Sequence, residues 1–137
     1  MKNVKIFIVD ANVFLRFLTN DIESQAKRVE DRFMAAEQGK IRLRVLQITI
    51  VEILFHLEKW YKLSKKDAIE KVRDLFSPEW IEIDDKDILF SALEDYRRIN
   101  IDFVDLLMFN HAKKESINLL SFDKDFDKLN LDLREEP

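Results

Sequence analysis

The stretch KIFIVDAN, residues 5–12, decides which fold class the chain can adopt. A run of apolar, mostly β-branched residues ends there in Asp10, and a helical pattern begins directly after it. This pattern predicts a buried strand of a parallel sheet that carries an aspartate to the carboxyl edge of the sheet. Ligands bind at that edge in open α/β sheets, so Asp10 is the first candidate for a functional residue.

Length and composition limit the function classes. The chain has 137 residues, of which 47% are hydrophobic, and we expect a single domain over residues 1–137. The absence of cysteine excludes disulfides and thiolate metal sites. A single glycine excludes a dinucleotide fingerprint and a P-loop, because each needs at least two. The sequence has no membrane-length apolar run and no secretory N-terminal pattern, so we expect a soluble, cytoplasmic protein without a membrane partner.

The formal net charge of −4 limits how the chain could bind nucleic acid. A protein that binds nucleic acid mainly by neutralising phosphates is expected to be basic. Any nucleic-acid function must therefore depend on a local basic patch, on a metal ion, or on both.

Hydrophobic periodicity predicts the order βααβααβααβ(β). The predicted strands cover residues 4–9, 41–45, 80–84 and 117–121, with a last edge strand at 131–133. Helices alternate with them in pairs, as expected for an α/β fold. We therefore predict a three-layer α/β/α sandwich with a mainly parallel sheet of four to five strands and right-handed crossovers.

Local signals predict where several helices begin and end. Asn12 is the predicted N-cap of the first helix, and Ser64 opens a capping-box pattern. Gly39 follows the second helix at the position where a left-handed residue is common. The third helix is expected to face inward through Ile48, Val51, Leu54, Phe55 and Leu57.

Acidic residues make up 27 of the 137 positions, so their positions matter more than their number. Asp10 and Asp123 end predicted strands, and Asp105 falls in the first turn of a helix within an apolar run. Glu52 lies in the middle of an apolar helix, where it has no capping role. Asp10 as a helix cap, Asp105 as a partner of the helix dipole and Asp123 as an ordinary turn residue remain open alternatives.

Carboxylates that lie close together need compensation, because like charges raise one another's pKa. No lysine or arginine lies within the apolar runs around Glu52 (48–55) and Asp105 (103–107), which leaves a divalent cation as the candidate. Oxygen ligands without cysteine favour Mg²⁺ or Mn²⁺ over Zn²⁺. Four carboxylates can hold one or two such ions with open coordination positions, which is the arrangement that phosphodiester hydrolysis requires.

Four segments in the same order carry a resemblance to a known family. They are VDANVFLR at 9–16, IVEI at 50–53, DFVDLL at 102–107 and LSFDKDF at 120–126. With these segments the chain resembles the PIN-domain ribonucleases, and most closely the VapC-type toxins of toxin–antitoxin modules. Order and spacing agree over essentially the whole chain.

The resemblance implies the fold predicted above and a hydrolase that cleaves RNA with Mg²⁺ or Mn²⁺. It also implies a homodimer and inhibition by a cognate antitoxin protein. The catalytic and metal-binding groups would be four acids, called here the acidic quartet: Asp10, Glu52, Asp105 and Asp123. Asn12 would orient the first acid, and Ser121 would hold the site through its hydroxyl. Asp102 and Asp125 are nearby spare carboxylates.

Two other functions compete with this hypothesis. A phosphate-transfer domain normally needs a lysine at a strand end, and the fourth strand here ends in SFD at 121–123, without one. A PIN-fold binding module, or an RNA-processing factor acting through a protein partner, would dock through the apolar helix at residues 13–18. Lys40, Arg42 and Arg44 share one face of the second strand and are either RNA contacts or a solvated surface.

Overall fold

The computed structural model describes residues 3–129 and 131–137 of the chain. It consists of two compact units, with the boundary between Asp84 and Asp85. Within the described ranges, no helix is both long enough and apolar enough to cross a membrane.

A parallel three-stranded sheet forms the centre of the first unit. Its strands are β1 (Lys5–Ile8), β2 (Ile41–Val45) and β3 (Ile81–Ile83), in the order β1-β2-β3. Phe7 pairs with Leu43, and Leu43 in turn pairs with Ile81. The predicted second strand, residues 41–45, coincides with β2, whose alternate side chains are buried and exposed. The prediction that the first strand is buried is wrong, because Ile6 and Ile8 of β1 are 50% and 64% exposed.

Helices α1 (Ala11–Thr19), α2 (Glu23–Glu37), α3 (Gln47–Lys59) and α4 (Lys65–Phe76) complete the first unit. The ring of Phe14 has no solvent exposure. Its centroid lies 5.6 Å from that of Phe33 and 4.9 Å from that of Phe76. Leu15 is also buried, so the apolar residues of α1 mainly build this core. Phe14 and Leu15 are therefore unavailable for docking, while Phe17 on the same helix is 38% exposed, so the binding-module alternative stays open.

Two local predictions about helix ends are confirmed. The Ser64 hydroxyl oxygen accepts a 3.1 Å hydrogen bond from the backbone N–H of Asp67 at the start of α4. Gly39 has a φ of +76° just after α2, in the left-handed region that favours glycine.

One prediction about the helices of the first unit is wrong and another is only partly right. Helix α1 begins at Ala11, so Asp10 and not Asn12 occupies the N-cap position. In α3, Leu54 and Leu57 are buried as predicted, but Ile48 and Phe55 are 70% and 51% exposed. Ile50 and Ile53 are fully buried instead. Because α3 is apolar on nearly all sides, its periodicity does not identify the buried face.

The second unit contains helices α5 (Lys86–Arg98) and α6 (Phe103–Glu115), which pack against each other. Asn110 is buried among them, and its amide nitrogen donates to the Leu106 carbonyl at 2.8 Å and to an Asp95 carboxylate oxygen at 3.0 Å. A 3₁₀ helix spans Lys124–Leu129.

Strands β4 (Leu119–Leu120) and β5 (Arg134–Glu135) pair in parallel in the second unit. The predicted last strand is therefore present, but the bounds predicted for it, 131–133, are wrong, since β5 begins at Arg134. Arg134 fixes this position, because its guanidinium donates to both Asp127 carboxylate oxygens at 3.0 and 2.9 Å and to the Ser121 carbonyl at 3.2 Å.

Candidate active site

Asp10 follows β1 and occupies the N-cap position of α1 with an extended backbone, φ −76° and ψ 150°. Its side chain makes no capping hydrogen bond and is exposed. The alternative that Asp10 serves only as a helix cap therefore receives no support. The carboxylate borders a cavity of about 320 Å³ in the first unit, together with Val13, Arg32 and residues of β1 and β2.

Asn12 lies in the first turn of α1 and is exposed. Within the part of the chain that the structure describes, its amide forms no hydrogen bond with Asp10. The predicted role of Asn12 in orienting the first acid stays a prediction.

Glu52 lies on α3 and is exposed, although its neighbours Ile53 and Leu54 are buried. Its backbone carbonyl lies 2.9 Å from Nδ1 of His56, one turn further along the helix. The Glu52 carboxylate has no ion-pair partner among the described residues, so it is available to a ligand.

Asp105 lies in the first turn of α6 and is partly buried. Burial raises the pKa of its carboxyl group, and the nearby carboxylates of Asp102, Asp123 and Asp125 raise this pKa further. Every charge that shifts the Asp105 pKa is therefore negative. Such repulsion opposes ionisation, and a cation bound among these groups would relieve it.

Hydrogen bonds order the segment that carries Asp123. The Ser121 hydroxyl oxygen accepts from the backbone N–H of Asp123 at 2.9 Å. Oδ1 of Asp123 in turn accepts from the backbone N–H of Asp125 at 2.9 Å. Each contact closes a turn through a side chain, which fixes the backbone that presents the Asp123 carboxylate. Lys128 forms a 2.9 Å ion pair with Asp125.

The structure thus brings Asp105 and Asp123 into one electrostatic cluster with Asp102 and Asp125 in the second unit. Asp10 and Glu52 lie in the first unit. Among residues 3–129 and 131–137, no three acidic or histidine side chains are close enough together to hold a metal ion. Convergence of the full acidic quartet stays a prediction.

The basic row on β2 is occupied by intramolecular ion pairs. Arg42 donates two hydrogen bonds to the Glu82 carboxylate, at 2.8 and 2.6 Å. Arg44 donates to Asp84 at 2.5 Å. These carboxylates reduce the charge available to an RNA phosphate, which favours the interpretation of this row as a solvated surface.

Sequence reasoning did not single out Arg28 and Arg32, which line a second cavity of the first unit together with Arg16. Their spacing of four residues could have indicated a shared basic surface, because residues four apart lie on the same face of a helix.

Together these features define an α/β protein with a parallel sheet, a free aspartate directly after the first strand, and a cluster of carboxylates at a helix start. The family model of the PIN domain matches residues 7–131, and the chain belongs to this family. Membership confirms the predicted fold class, α/β with a mainly parallel sheet.

Two individual proteins show similarity over nearly the full chain. A VapC ribonuclease of Aquifex aeolicus (strain VF5) is 29% identical over 123 residues, which cover 89% of this chain and 90% of that protein. A crystal structure of VapBC2 from Rickettsia felis, bound to a DNA fragment from its promoter, matches with 21% identity and a TM-score of 0.38. That match covers 96% of this chain and 98% of the other.

Proposed function

We propose that this protein is a metal-dependent endoribonuclease that hydrolyses RNA phosphodiester bonds. The observation that carries the proposal is membership of the PIN-domain family over residues 7–131. The similarity to a VapC ribonuclease supports the same activity, and so does the clustering of Asp105 with the carboxylates of Asp102, Asp123 and Asp125.

The residues fit a hard divalent cation, Mg²⁺ or Mn²⁺. Such ions prefer carboxylate oxygens, and the candidate groups are carboxylates without a cysteine among them. When bound, the ion would supply a hydroxide from water at neutral pH and neutralise the charge that develops on the phosphate.

Each member of the acidic quartet has a proposed role. By the family resemblance, Asp10 and Asp105 would be the main ligands of the ion, and Asp123 would complete the site or bind a second ion. Glu52 would bridge to the metal or position the attacking water. Asn12 orients Asp10, and the Ser121 hydroxyl holds the Asp123 segment, for which its 2.9 Å contact with the Asp123 N–H provides support. The attack on phosphorus and the departure of the ribose oxygen then occur in line.

The biological role proposed is that of the toxin in a toxin–antitoxin pair. It rests on the resemblance of the chain to VapC-type proteins and on the VapC relative. By the same resemblance, the partners are a cognate antitoxin protein and a second copy of the chain, and the compartment is the cytoplasm.

The test is cleavage of single-stranded RNA in Mn²⁺, with EDTA as the metal-free control. We expect Asp10→Asn and Asp105→Asn to lower the rate by more than about 100-fold, because even outer-shell groups of metal sites contribute 10–100-fold. The matched control is Asp31→Asn on α2, an exposed acid paired with Lys27, which should cleave at the wild-type rate. Cleavage that persists in both site variants, or in EDTA, contradicts the proposal.

A further inference from the structure

A groove between α1 and α2 is lined by arginines and by no acid. It has a volume of about 450 Å³. Its lining, called here the arginine groove, consists of Asn12, Val13, Arg16, Gln25, Arg28, Val29 and Arg32. In a chain with a net charge of −4, an acid-free surface with three arginines is a local basic patch of the kind that anion binding requires.

Most other arginines of the protein are held by carboxylates. Arg42, Arg44, Arg97, Arg98 and Arg134 each form an ion pair with an aspartate or glutamate. Those contacts reduce the charge that these arginines offer to a ligand.

The α2 arginines of the groove differ from that pattern. Across the described ranges, Arg28 and Arg32 have no carboxylate partner. Arg16 does form an ion pair, with an Asp21 carboxylate oxygen at 3.5 Å, and its Nε donates to Gln25 at 2.9 Å. The charge that the groove offers to a ligand is therefore mainly that of Arg28 and Arg32.

Arg32 contacts the aromatic ring of Phe7. Its guanidinium carbon lies 5.4 Å from the centroid of Phe7 on β1, within range of a cation–π contact. Arg28 lies one helical turn earlier on α2, so both side chains project from the same face of the helix. Guanidinium groups present planar pairs of N–H donors that match the oxygens of a phosphate.

The groove adjoins the cavity that Asp10 borders. The two share Val13 and Arg32 as lining residues. Asn12 lines the groove and stands two residues after Asp10 in the chain. A phosphate held by Arg32 would therefore lie beside the cavity of the acid that the proposed function assigns to the scissile phosphate.

We propose that the arginine groove binds the backbone phosphates of an RNA strand and guides that strand to Asp10. This inference rests on the proposed ribonuclease function and names Arg28 and Arg32 as phosphate-binding residues. RNA is favoured over an acidic protein segment because the groove shares Val13 and Arg32 with the cavity that the candidate catalytic acid borders.

The experiment measures binding of a short fluorescent single-stranded RNA in EDTA, which prevents metal-dependent cleavage, at 50 and 200 mM salt. The variants are Arg28→Gln and Arg32→Gln. The matched control is Lys27→Gln on the same helix, which removes a cation that pairs with Asp31 at 3.2 Å and does not line the groove.

One lost phosphate contact makes the slope of log affinity against log salt less steep by ~0.7 for single strands. If the salt-independent part of the binding free energy is unchanged, each arginine variant binds about 8-fold more weakly at 50 mM salt and about 3-fold more weakly at 200 mM. The Lys27→Gln control should keep the wild-type slope. In Mn²⁺, Arg28→Gln should raise KM for RNA cleavage and leave kcat unchanged.

Other outcomes separate this inference from the proposed function. Wild-type cleavage together with an unchanged salt slope in both arginine variants overturns the inference and leaves the nuclease proposal intact. Arginine-dependent RNA binding without cleavage by the wild type in Mn²⁺ supports the inference and overturns the nuclease proposal. If a glutamate-rich peptide binds through Arg28 while RNA binding is unaffected, the groove is a site for acidic protein segments and the inference is wrong.

Discussion

Replacing Phe14 by alanine should be one of the most destabilising single changes in the first unit. The Phe14 ring has no solvent exposure and contacts the rings of Phe33 and Phe76 at 5.6 and 4.9 Å. Phe→Ala in a core costs about 3–5 kcal/mol, and the two ring contacts place Phe14 in the upper part of that range, at about 4–5 kcal/mol. That is a large part of the ~5–15 kcal/mol by which domains are stable.

Phe17→Ala is the matched control on the same helix. Phe17 is 38% exposed and has a ring contact with Phe33 at 5.0 Å, so its loss should cost less. Scaled to its buried fraction, we expect about 2 kcal/mol.

Urea unfolding, followed by tryptophan fluorescence, measures both variants. Trp80 is a suitable reporter because its ring lies 5.7 Å from that of Phe33. With an m-value of about 2 kcal/mol/M, the midpoint should fall by about 2 M for Phe14→Ala and about 1 M for Phe17→Ala. Equal shifts for the two variants, or a shift below about 1 M for Phe14→Ala, would refute the assignment of Phe14 to the centre of the core.

Further substitutions test other parts of the structure. Ser64→Ala removes the cap of α4 and should lower the free energy of unfolding by about 1 kcal/mol in a urea melt; an unchanged midpoint would show that the cap is dispensable. Asn110→Ala should cost about 1–3 kcal/mol by the same measurement, since it removes two hydrogen bonds of a buried amide, whereas Asn118→Ala at an exposed position should have little effect. The pKa of Asp105 is raised in the folded protein, so the folded state binds the Asp105 proton more tightly than the unfolded state does. Without divalent cations, the free energy of unfolding should therefore fall as pH rises from the pKa of the unfolded state through the pKa of the folded state. Asp105→Asn should remove the contribution of Asp105 to this fall, measured as urea midpoints against pH. Parallel curves for the variant and the wild type would contradict the raised pKa of Asp105.

Features that depend on neighbours in sequence could be predicted from the sequence. The strand at residues 41–45, the Ser64 cap and the left-handed Gly39 all depend on short-range patterns, and the structure has all three. The buried face of α3 could be predicted only in part, through Leu54 and Leu57. Apolar residues surround this helix, so only tertiary packing selects Ile50 and Ile53 for the core.

The candidate site was predictable to a similar degree. An aspartate among apolar residues marked Asp105 as unusual, and its raised pKa agrees with that expectation. The difference between the arginines of β2 and those of α2 was not predictable. Arg42 is neutralised by Glu82, 40 residues away in the chain, and such a distant ion pair leaves no local pattern.

The most direct test of the proposed metal site is a thermal melt with and without Mn²⁺, on the wild type, on Asp105→Asn and on the control Asp31→Asn. An ion at 100 times its Kd should add about 2.7 kcal/mol to the wild type. For a chain of this length, that corresponds to a rise in Tm of about 8–12 °C. The account predicts this rise for the wild type and for Asp31→Asn, and a much smaller one for Asp105→Asn. Equal rises in all three proteins, or none in the wild type, would contradict a cation site built on Asp105.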